Sequence, residues 1–210
     1  MNVLFIASHP DDEVLGCGGT IAKHIENQDD VFILYLSTGR ITDLNHIYSA
    51  VNELGVCRNN ILFGKFEAQH FETVPQSKIA DVIADIIDIV SPNILYTHSK
   101  NDLNQDHKIA YEATMVATRP NKYFVEKIFA YEVMGSNLQP SPFNPTHFVN
   151  IHNHIDKKIS AMECYKDEIN RYPDPRSISG ILIYAEYRGL QCGMKYAESF
   201  EVIRTLDNTL

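Results

Sequence analysis

The chain has 210 residues, which is enough for one α/β domain with a sizeable core but too few for two. Its net charge of -9 disfavours a nucleic-acid partner, because a phosphate-binding surface needs a basic patch. No apolar segment approaches the roughly 20 residues of a membrane span, and the amino terminus lacks the pattern of a signal peptide. The four cysteines are scattered without a C-x-x-C pair, so we expect a cytoplasmic protein with reduced thiols.

Short apolar runs alternate with longer amphipathic runs in the first part of the chain. The apolar runs predict buried strands at residues 2–8, 31–37, 61–64 and 93–99. Helical spacing predicts helices at residues 18–28, 43–55, 76–90 and 105–120. Continuous apolar strands separated by helices are typical of a parallel sheet that is covered on both faces.

The sequence after residue 120 is less regular. Strands are predicted at residues 127–133 and 146–151 and a helix at 155–169, and the segment 196–204 closes the chain. We therefore predict a single α/β domain over residues 1–210. Its architecture is a three-layer, doubly wound (Rossmann-like) and mostly parallel sheet with an irregular C-terminal third.

Polar side chains follow the predicted strands at the points where the strands end. Ligands of open parallel sheets bind beyond the carboxyl ends of the strands, so these side chains are the candidate site residues. They are, in chain order, His9, Asp11, Asp12, Glu13, Arg40, His98, Asp102, Asn104, Asp106 and His107.

Three of these residues form a possible metal site. Zinc accepts imidazole nitrogen and carboxylate oxygen, and a catalytic zinc site has three protein ligands and one open position. His9, Asp12 and His107 supply such a set, and the adjacent Asp11 could accept a proton from a metal-bound water. The alternative is that Asp11 or Asp12 merely caps the following helix.

The segment SHPDDEVLGCGGTIAKH resembles the signature of the PIG-L/LmbE-like deacetylases, in which a His-Pro-Asp-Asp-Glu stretch precedes a glycine-rich segment. The segments STGR, ELGV, FETVP, NILYTHSKNDLNQDH, KKISAMECYKDEI and YAESFEVIR follow in the order of that family. The similarity therefore extends over nearly the whole chain. It is greatest to bacterial members that accompany surface-sugar synthesis.

The resemblance implies a zinc-dependent hydrolase that removes an N-acetyl group from a small-molecule amino sugar or sugar conjugate. The family's metal ligands fall on His9, Asp12 and His107, and its general base falls on Asp11. In the implied mechanism, a zinc-bound water attacks the amide while Asp11 takes its proton. One Zn²⁺ per chain is expected. The sequence leaves open whether Fe²⁺ replaces it, which sugar is the substrate and whether the chain forms a homo-oligomer.

The sequence departs from the family pattern at one position. Well-studied members carry a histidine three residues before the last metal ligand, where this chain has Asn104. An asparagine amide donates a hydrogen bond but carries no extra proton at neutral pH. His98 is the candidate that takes over this catalytic role, and the alternative is a histidine bonded to backbone. Asp106 is expected to orient a neighbouring group rather than to bind the metal.

The remaining residues of interest are polar side chains and glycines outside the possible metal site. Arg40 and Asn104 are expected to contact the substrate, and Arg176 and Arg188 are expected to be solvated. Gly16, Gly18 and Gly19 suit a tight turn and close helix packing without any ligand.

Three other functions compete with the deacetylase. A dinucleotide-binding dehydrogenase is disfavoured, because the glycines begin too far beyond the strand and no ribose-binding acid ends the second strand. A non-haem iron oxygenase would use a triad of His9, Asp11 and His107. The third alternative is a sugar-binding protein that contains a metal.

Overall fold

The computed structural model describes residues 1–39, 44–120, 124–136 and 142–207. Seven strands form one sheet: β1 (Asn2–Ala7), β2 (Asp30–Ser37), β3 (Ile61–Phe66), β4 (Ile94–His98), β5 (Lys127–Tyr131), β6 (His147–Asn150) and β7 (Ala197–Thr205). The α-helices are α1 (Asp12–Glu26), α2 (Asn45–Glu53), α3 (Gln76–Val90), α4 (Gln105–Ala117), α5 (Ile155–Glu163) and α6 (Ile178–Leu190). Within the described ranges, no helix is long and apolar enough to cross a membrane.

The strand order across the sheet is β3-β2-β1-β4-β5-β7-β6. The pairs from β3 to β5 are parallel, whereas β7 pairs antiparallel with both β5 and β6. The chain winds outward in one direction from β1 to β3 and in the other from β4 to β5. The crevice between β1 and β4 is therefore the topological switch point, where ligands bind in sheets of this kind.

Helices cover both faces of the sheet. On β1, Val3, Phe5 and Ala7 pack with α1, α2 and α5, whereas Leu4 and Ile6 pack with α3 and α4. All five residues are almost completely buried. This two-sided burial explains why β1 is a continuous apolar run rather than an alternating one.

Two glycines of α1 are required by close packing. A Cβ on Gly16 would lie 2.3 Å from the ring of Tyr131, and one on Gly19 would lie 2.7 Å from the side chain of Ile151. Both distances are shorter than real contacts allow. The glycines therefore bring α1 against the sheet and the segment that follows β6, as predicted, but they lie inside a helix and form no tight turn.

The predicted fold class is confirmed, but several element boundaries are wrong. Helix α1 begins at Asp12 rather than at residue 18, because two acidic residues occupy its first turn, where the helix dipole favours negative charge. Helix α5 ends at Glu163 rather than at residue 169. The sequence pattern does not predict helix α6, and the closing segment is strand β7, which lies between β5 and β6.

Candidate metal centre

The predicted metal ligands come from two neighbouring strand ends. His9 follows β1, and Asp12 is the first residue of α1. His107 lies in the first turn of α4, which follows β4. Because β1 and β4 are adjacent and parallel, their carboxyl ends place these three side chains together at the switch point.

The three ligand atoms converge on one point. Nε2 of His107 lies 3.3 Å from both Oδ2 of Asp12 and Nδ1 of His9, and these last two atoms are 3.4 Å apart. The other oxygen of Asp12, Oδ1, is buried without a hydrogen-bond partner. Two imidazole nitrogens and a carboxylate, with one oxygen unsatisfied, match the donor set of a catalytic divalent cation.

Two further carboxylates hold the histidines by their opposite ring nitrogens. Oδ2 of Asp106 lies 2.7 Å from Nε2 of His9, and Oδ2 of Asp102 lies 3.0 Å from Nδ1 of His107. The backbone N–H groups of Gln69 and Phe71 donate to Asp106. Each carboxylate thus fixes a ring so that its other nitrogen is directed at the ligand cluster, as expected around a metal site.

The charges of the cluster favour a cation. Burial lowers the pKa of His9, but Asp106 and Asp12 outweigh it and raise that pKa to about 9. Burial also lowers the pKa of His107, but Asp12 and Asp102 raise it to about 10. Burial would raise the pKa of Asp12, yet the surrounding histidines hold it well below its usual value. The carboxylates therefore create a strongly negative environment, in which a proton or a metal ion is stabilised.

Asp11 has an unusual backbone conformation. Its φ of 103° is in the region that favours glycine, and such strain costs on the order of 1–3 kcal/mol. The backbone N–H of Asp11 donates to Oε2 of Glu13 at 3.1 Å, and the hydroxyl of Tyr165 donates to Oε1 of Glu13 at 2.8 Å. This buried network holds the Asp11 backbone in place.

The side chain of Asp11 does not cap α1. Asp11 occupies the N-cap position but makes no capping hydrogen bond, so the alternative of a mere cap is wrong for this residue. Its Oδ2 instead accepts a hydrogen bond from Nη1 of Arg176 at 3.0 Å. Burial and the neighbouring Asp12 carboxylate raise the pKa of Asp11 well above its usual value, and the Arg176 guanidinium opposes this shift.

The side chain of Asp11 lines a polar cavity of about 230 Å³ beside the ligand cluster. The cavity is lined by His9, Pro10, Asp11, Gly39, Ala68, Gln69, Asn104, Glu168 and Arg176. Asn104, predicted to contact substrate, is in this lining and also caps α4, since its Oδ1 accepts the Asp106 N–H at 2.9 Å. Arg40, the other predicted contact, lies outside the described residues.

His98 lies behind His107 and outside the cavity lining. Its ring stacks on that of His107 with centroids 4.0 Å apart, and it is completely buried. Its Nε2 accepts the backbone N–H of Ser8 at 2.9 Å, which leaves the ring proton on Nδ1. Burial and the nearby His107 lower its pKa to about 3. The expectation that His98 donates a proton to the substrate does not fit this position. The ring is neutral, it is held by the Ser8 backbone, and it does not line the cavity.

A second group of possible ligands consists of His98, Asp102 and His107. It is less suitable, because Nε2 of His98 and Nδ1 of His107 are already engaged by Ser8 and Asp102. The triad expected of an iron oxygenase is not brought together, since Asp12 rather than Asp11 joins the two histidines in the described residues.

Comparison with known proteins decides the family. The sequence profile of PIG-L, described as GlcNAc-PI de-N-acetylase, matches residues 4–118, which is more than half of the chain. The chain belongs to the PIG-L family. It is 26% identical over 178 residues to the uncharacterized deacetylase YaiS of Escherichia coli K12, covering 78% of this chain and 90% of YaiS.

Solved structures share the fold over nearly the full chain. The N,N'-diacetylchitobiose deacetylase of Pyrococcus horikoshii superposes with a TM-score of 0.77 at 17% identity, covering 96% of this chain and 83% of that one. GalB of Pseudomonas putida KT2440, a 4-carboxy-2-hydroxymuconate hydratase, gives a TM-score of 0.75 at 22% identity, covering 100% of both chains. At these identities the likeness establishes the fold alone, since one fold hosts different chemistries.

Three polar residues of this PIG-L protein have contacts that the sequence does not predict. The sequence places Asp102 after the fourth strand but indicates no role for it. Arg176 and Arg188 were expected to be solvated, yet Arg176 contacts Asp11, and Arg188 is buried against Glu132. The PIG-L match ends at residue 118, so neither arginine lies in the matched region. A sequence signal existed only for Asp102, which lies in the same short loop as Asn104.

Proposed function

We propose that this chain is a metal-dependent N-deacetylase that hydrolyses the acetamide of an amino sugar or sugar conjugate. One observation carries the proposal. His9, Asp12 and His107 converge within 3.4 Å of one another, and His9 lines a polar cavity together with Asp11, the residue that precedes Asp12. A metal site next to an unliganded carboxylate is the arrangement that hydrolysis of an amide by activated water requires.

The residues present fit a divalent cation. The ligands would be Nδ1 of His9, Oδ2 of Asp12 and Nε2 of His107. Asp106 fixes the orientation of the His9 ring, and Asp102 fixes that of the His107 ring. Zn²⁺ is our first candidate, and Fe²⁺ is the alternative, because both accept this donor set. When bound, such a cation supplies Lewis-acid chemistry, which polarises a carbonyl and makes water more acidic.

Asp11 is the proposed general base. It lines the cavity, and its raised pKa makes it a better proton acceptor than an ordinary aspartate. It would take one proton from the attacking water while the new C–O bond forms at the amide carbon. It would then pass that proton to the nitrogen as the C–N bond breaks, which releases acetate and a free amine.

The cavity suits a sugar rather than an apolar substrate. Gln69, Asn104 and Glu168 place amide and carboxylate groups around it. These groups match the hydroxyl and acetamide groups of an amino sugar, which donate and accept hydrogen bonds. We assign Asn104 to the substrate carbonyl oxygen, where an amide donor would stabilise the developing negative charge. His98 is assigned to holding His107 by stacking.

The proposal is tested by screening the Zn²⁺-loaded protein against N-acetylated amino sugars in free, nucleotide-linked and lipid-linked forms. Mass spectrometry should detect loss of an acetyl group and release of acetate, and a chelator should abolish both. Binding of a sugar without turnover would favour a metal-containing sugar-binding protein. Turnover of an unsaturated acid by addition of water, without acetate release from any sugar, would contradict the deacetylase.

Two variants connect the activity to the site. Asp11→Asn should retain the metal and lose about 10²–10⁴-fold in kcat, since it removes the general base. Asp12→Asn should instead lose metal, as measured by elemental analysis. Normal turnover in Asp11→Asn would place the base elsewhere.

A further inference from the structure

A loop from the C-terminal third supplies a cation to the site. Arg176 lies between α5 and α6, and its Nη1 donates to Oδ2 of Asp11 at 3.0 Å and to Oε2 of Glu168 at 3.3 Å. Its side chain is 25% exposed and lines the cavity, whereas that of Asp11 is only 4% exposed. An arginine far from the ligand motifs in sequence thus contacts the proposed base directly.

We propose that Arg176 is a positioning residue that fixes the carboxylate of Asp11 for proton transfer. This inference rests on the proposed function for its kinetic consequence, but the contact itself can be tested without any substrate.

The electrostatic surroundings of Asp11 require such a partner. Asp11 is buried next to the Asp12 carboxylate, and a buried charge beside a like charge is costly unless a cation compensates it. Asp12 lies within 3.5 Å of ring nitrogens of His9, His98 and His107. The cation in contact with Asp11, among the described residues, is Arg176. Loss of Arg176 would therefore leave Asp11 free to rotate away from Asp12.

The geometry of the contact leaves the base usable. The hydrogen bond engages Oδ2 of Asp11 and restricts rotation of the carboxylate, so that Oδ1 keeps a fixed direction. The Arg176 guanidinium cannot act as a proton acceptor or lose its proton near neutral pH. Its effect on the reaction is therefore exerted through Asp11.

The loop that carries Arg176 is itself held in place. The backbone N–H of Arg176 donates to Oδ1 of Asp174 at 2.8 Å, and Oγ of Ser177 donates to the Asp174 carbonyl at 2.7 Å. Oγ of Ser177 also accepts the N–H of Gly180 in the first turn of α6. A Cβ on Gly180 would lie 2.6 Å from the Pro175 carbonyl oxygen, so glycine is required there. This bracing makes Arg176 a fixed support rather than a mobile surface residue.

The kinetic test uses Arg176→Ala with N,N′-diacetylchitobiose as the probe substrate. We expect kcat to fall by about 10²-fold, the effect of a small misplacement of a catalytic group, while KM and metal content stay near the wild-type values. Arg176→Lys should recover part of kcat, and added guanidinium ion should partly rescue Arg176→Ala. A raised KM with unchanged kcat would overturn the proposal, because it would show that Arg176 anchors the substrate.

Arg171→Ala is the matched control. Arg171 lies in the same loop and is exposed, so its removal changes the charge by the same amount without reaching the cavity. It should leave kcat and KM unchanged. An equal loss of kcat in Arg171→Ala and Arg176→Ala would show a general charge effect and overturn the proposal.

A double-mutant cycle tests the contact without substrate. Urea unfolding of the metal-free protein is compared for Asp11→Asn, Arg176→Ala and the double variant. Arg176→Ala should be destabilising in the wild-type chain and much less so in the Asp11→Asn background. If the Arg176→Ala variant does not fold, Arg176→Gln takes its place in the cycle. Additive effects of the two substitutions on the free energy of unfolding would overturn the proposed Arg176–Asp11 contact, whichever compounds are hydrolysed. Non-additive effects in a wild-type protein that hydrolyses no N-acetylated sugar would contradict only the proposed function.

Discussion

Oδ2 of Asp102 lies 3.0 Å from Nδ1 of His107, on the side of the ring opposite to the nitrogen that faces the ligand cluster. Asp102 is completely buried and also accepts hydrogen bonds from the Asn104 backbone at 2.9 Å and from the Ser136 hydroxyl at 2.8 Å. These contacts make it a rigid support for the His107 ring. Asp106 supports His9 in the same way, so each histidine of the proposed metal centre has its own carboxylate.

Asp102→Asn should therefore weaken metal binding without removing a ligand. Loss of a carboxylate partner of a metal-binding histidine typically costs about 10–100-fold in affinity. The affinity is measured by competition with a coloured chelator. Asp85→Asn, an exposed substitution on α3, is the control and should bind the metal like the wild type. Equal affinities in the two variants would contradict the supporting role of Asp102.

The sequence was sufficient for the fold class because β1 and its neighbours are apolar on both faces. That pattern specifies a covered parallel sheet. It was also sufficient to identify His9, Asp12 and His107 as a possible ligand set, and the structure brings them together, because the residues after adjacent parallel strands must meet at one edge of the sheet.

The rest depended on contacts that local patterns do not encode. Arg176 reaches Asp11 across 165 residues of sequence, and nothing in its surrounding loop distinguishes it from the exposed Arg171. Arg188 is buried because Glu132 and Tyr184 receive its guanidinium, which is a tertiary arrangement. The residue type and strand-end position of His98 are typical of a catalytic residue. Only its burial behind His107 shows that it lies outside the cavity.

Tyr165→Phe should destabilise the fold through Glu13. The Tyr165 hydroxyl donates to Oε1 of Glu13 at 2.8 Å, and both residues are almost completely buried. Removing the donor leaves a buried carboxylate oxygen without that partner, which costs about 1–3 kcal/mol in the free energy of unfolding. Urea unfolding gives this value. Tyr172→Phe, at a tyrosine that is 65% exposed, should change the stability by less than about 0.5 kcal/mol.

Lys158→Met should destabilise the fold more strongly. Lys158 donates to Oε1 of Glu198 at 2.6 Å and to the Leu15 carbonyl at 2.8 Å, and Glu198 accepts the N–H groups of Gly19 and Thr20 within α1. The buried ion pair thus replaces part of the hydrogen bonding of helix α1, which begins at the proposed metal ligand Asp12. Breaking one side of such a pair costs about 3–5 kcal/mol.

The ion-pair prediction is checked by thermal or urea unfolding with two comparisons. Lys157→Met, at the exposed neighbouring position, should be close to the wild type. The double variant Lys158→Met with Glu198→Gln should be less destabilised than the sum of the single variants, since no uncompensated charge remains buried. A loss below about 1 kcal/mol in Lys158→Met would show that water replaces the lysine, contrary to this account.

Asn104 combines a structural and a proposed catalytic role, and two substitutions separate them. Its Oδ1 caps α4 by accepting the Asp106 N–H, while its side chain also lines the cavity. Asn104→Ala removes both roles and should cost about 0.5–2 kcal/mol of stability in addition to activity. Asn104→Asp keeps the capping oxygen but removes the amide donor, so the stability should stay near that of the wild type. Its kcat should fall by about 10²–10³-fold, the loss seen when one oxyanion donor is removed. Metal content is measured in parallel, and normal turnover in a stable, metal-loaded Asn104→Asp variant would show that the oxyanion is stabilised by another group.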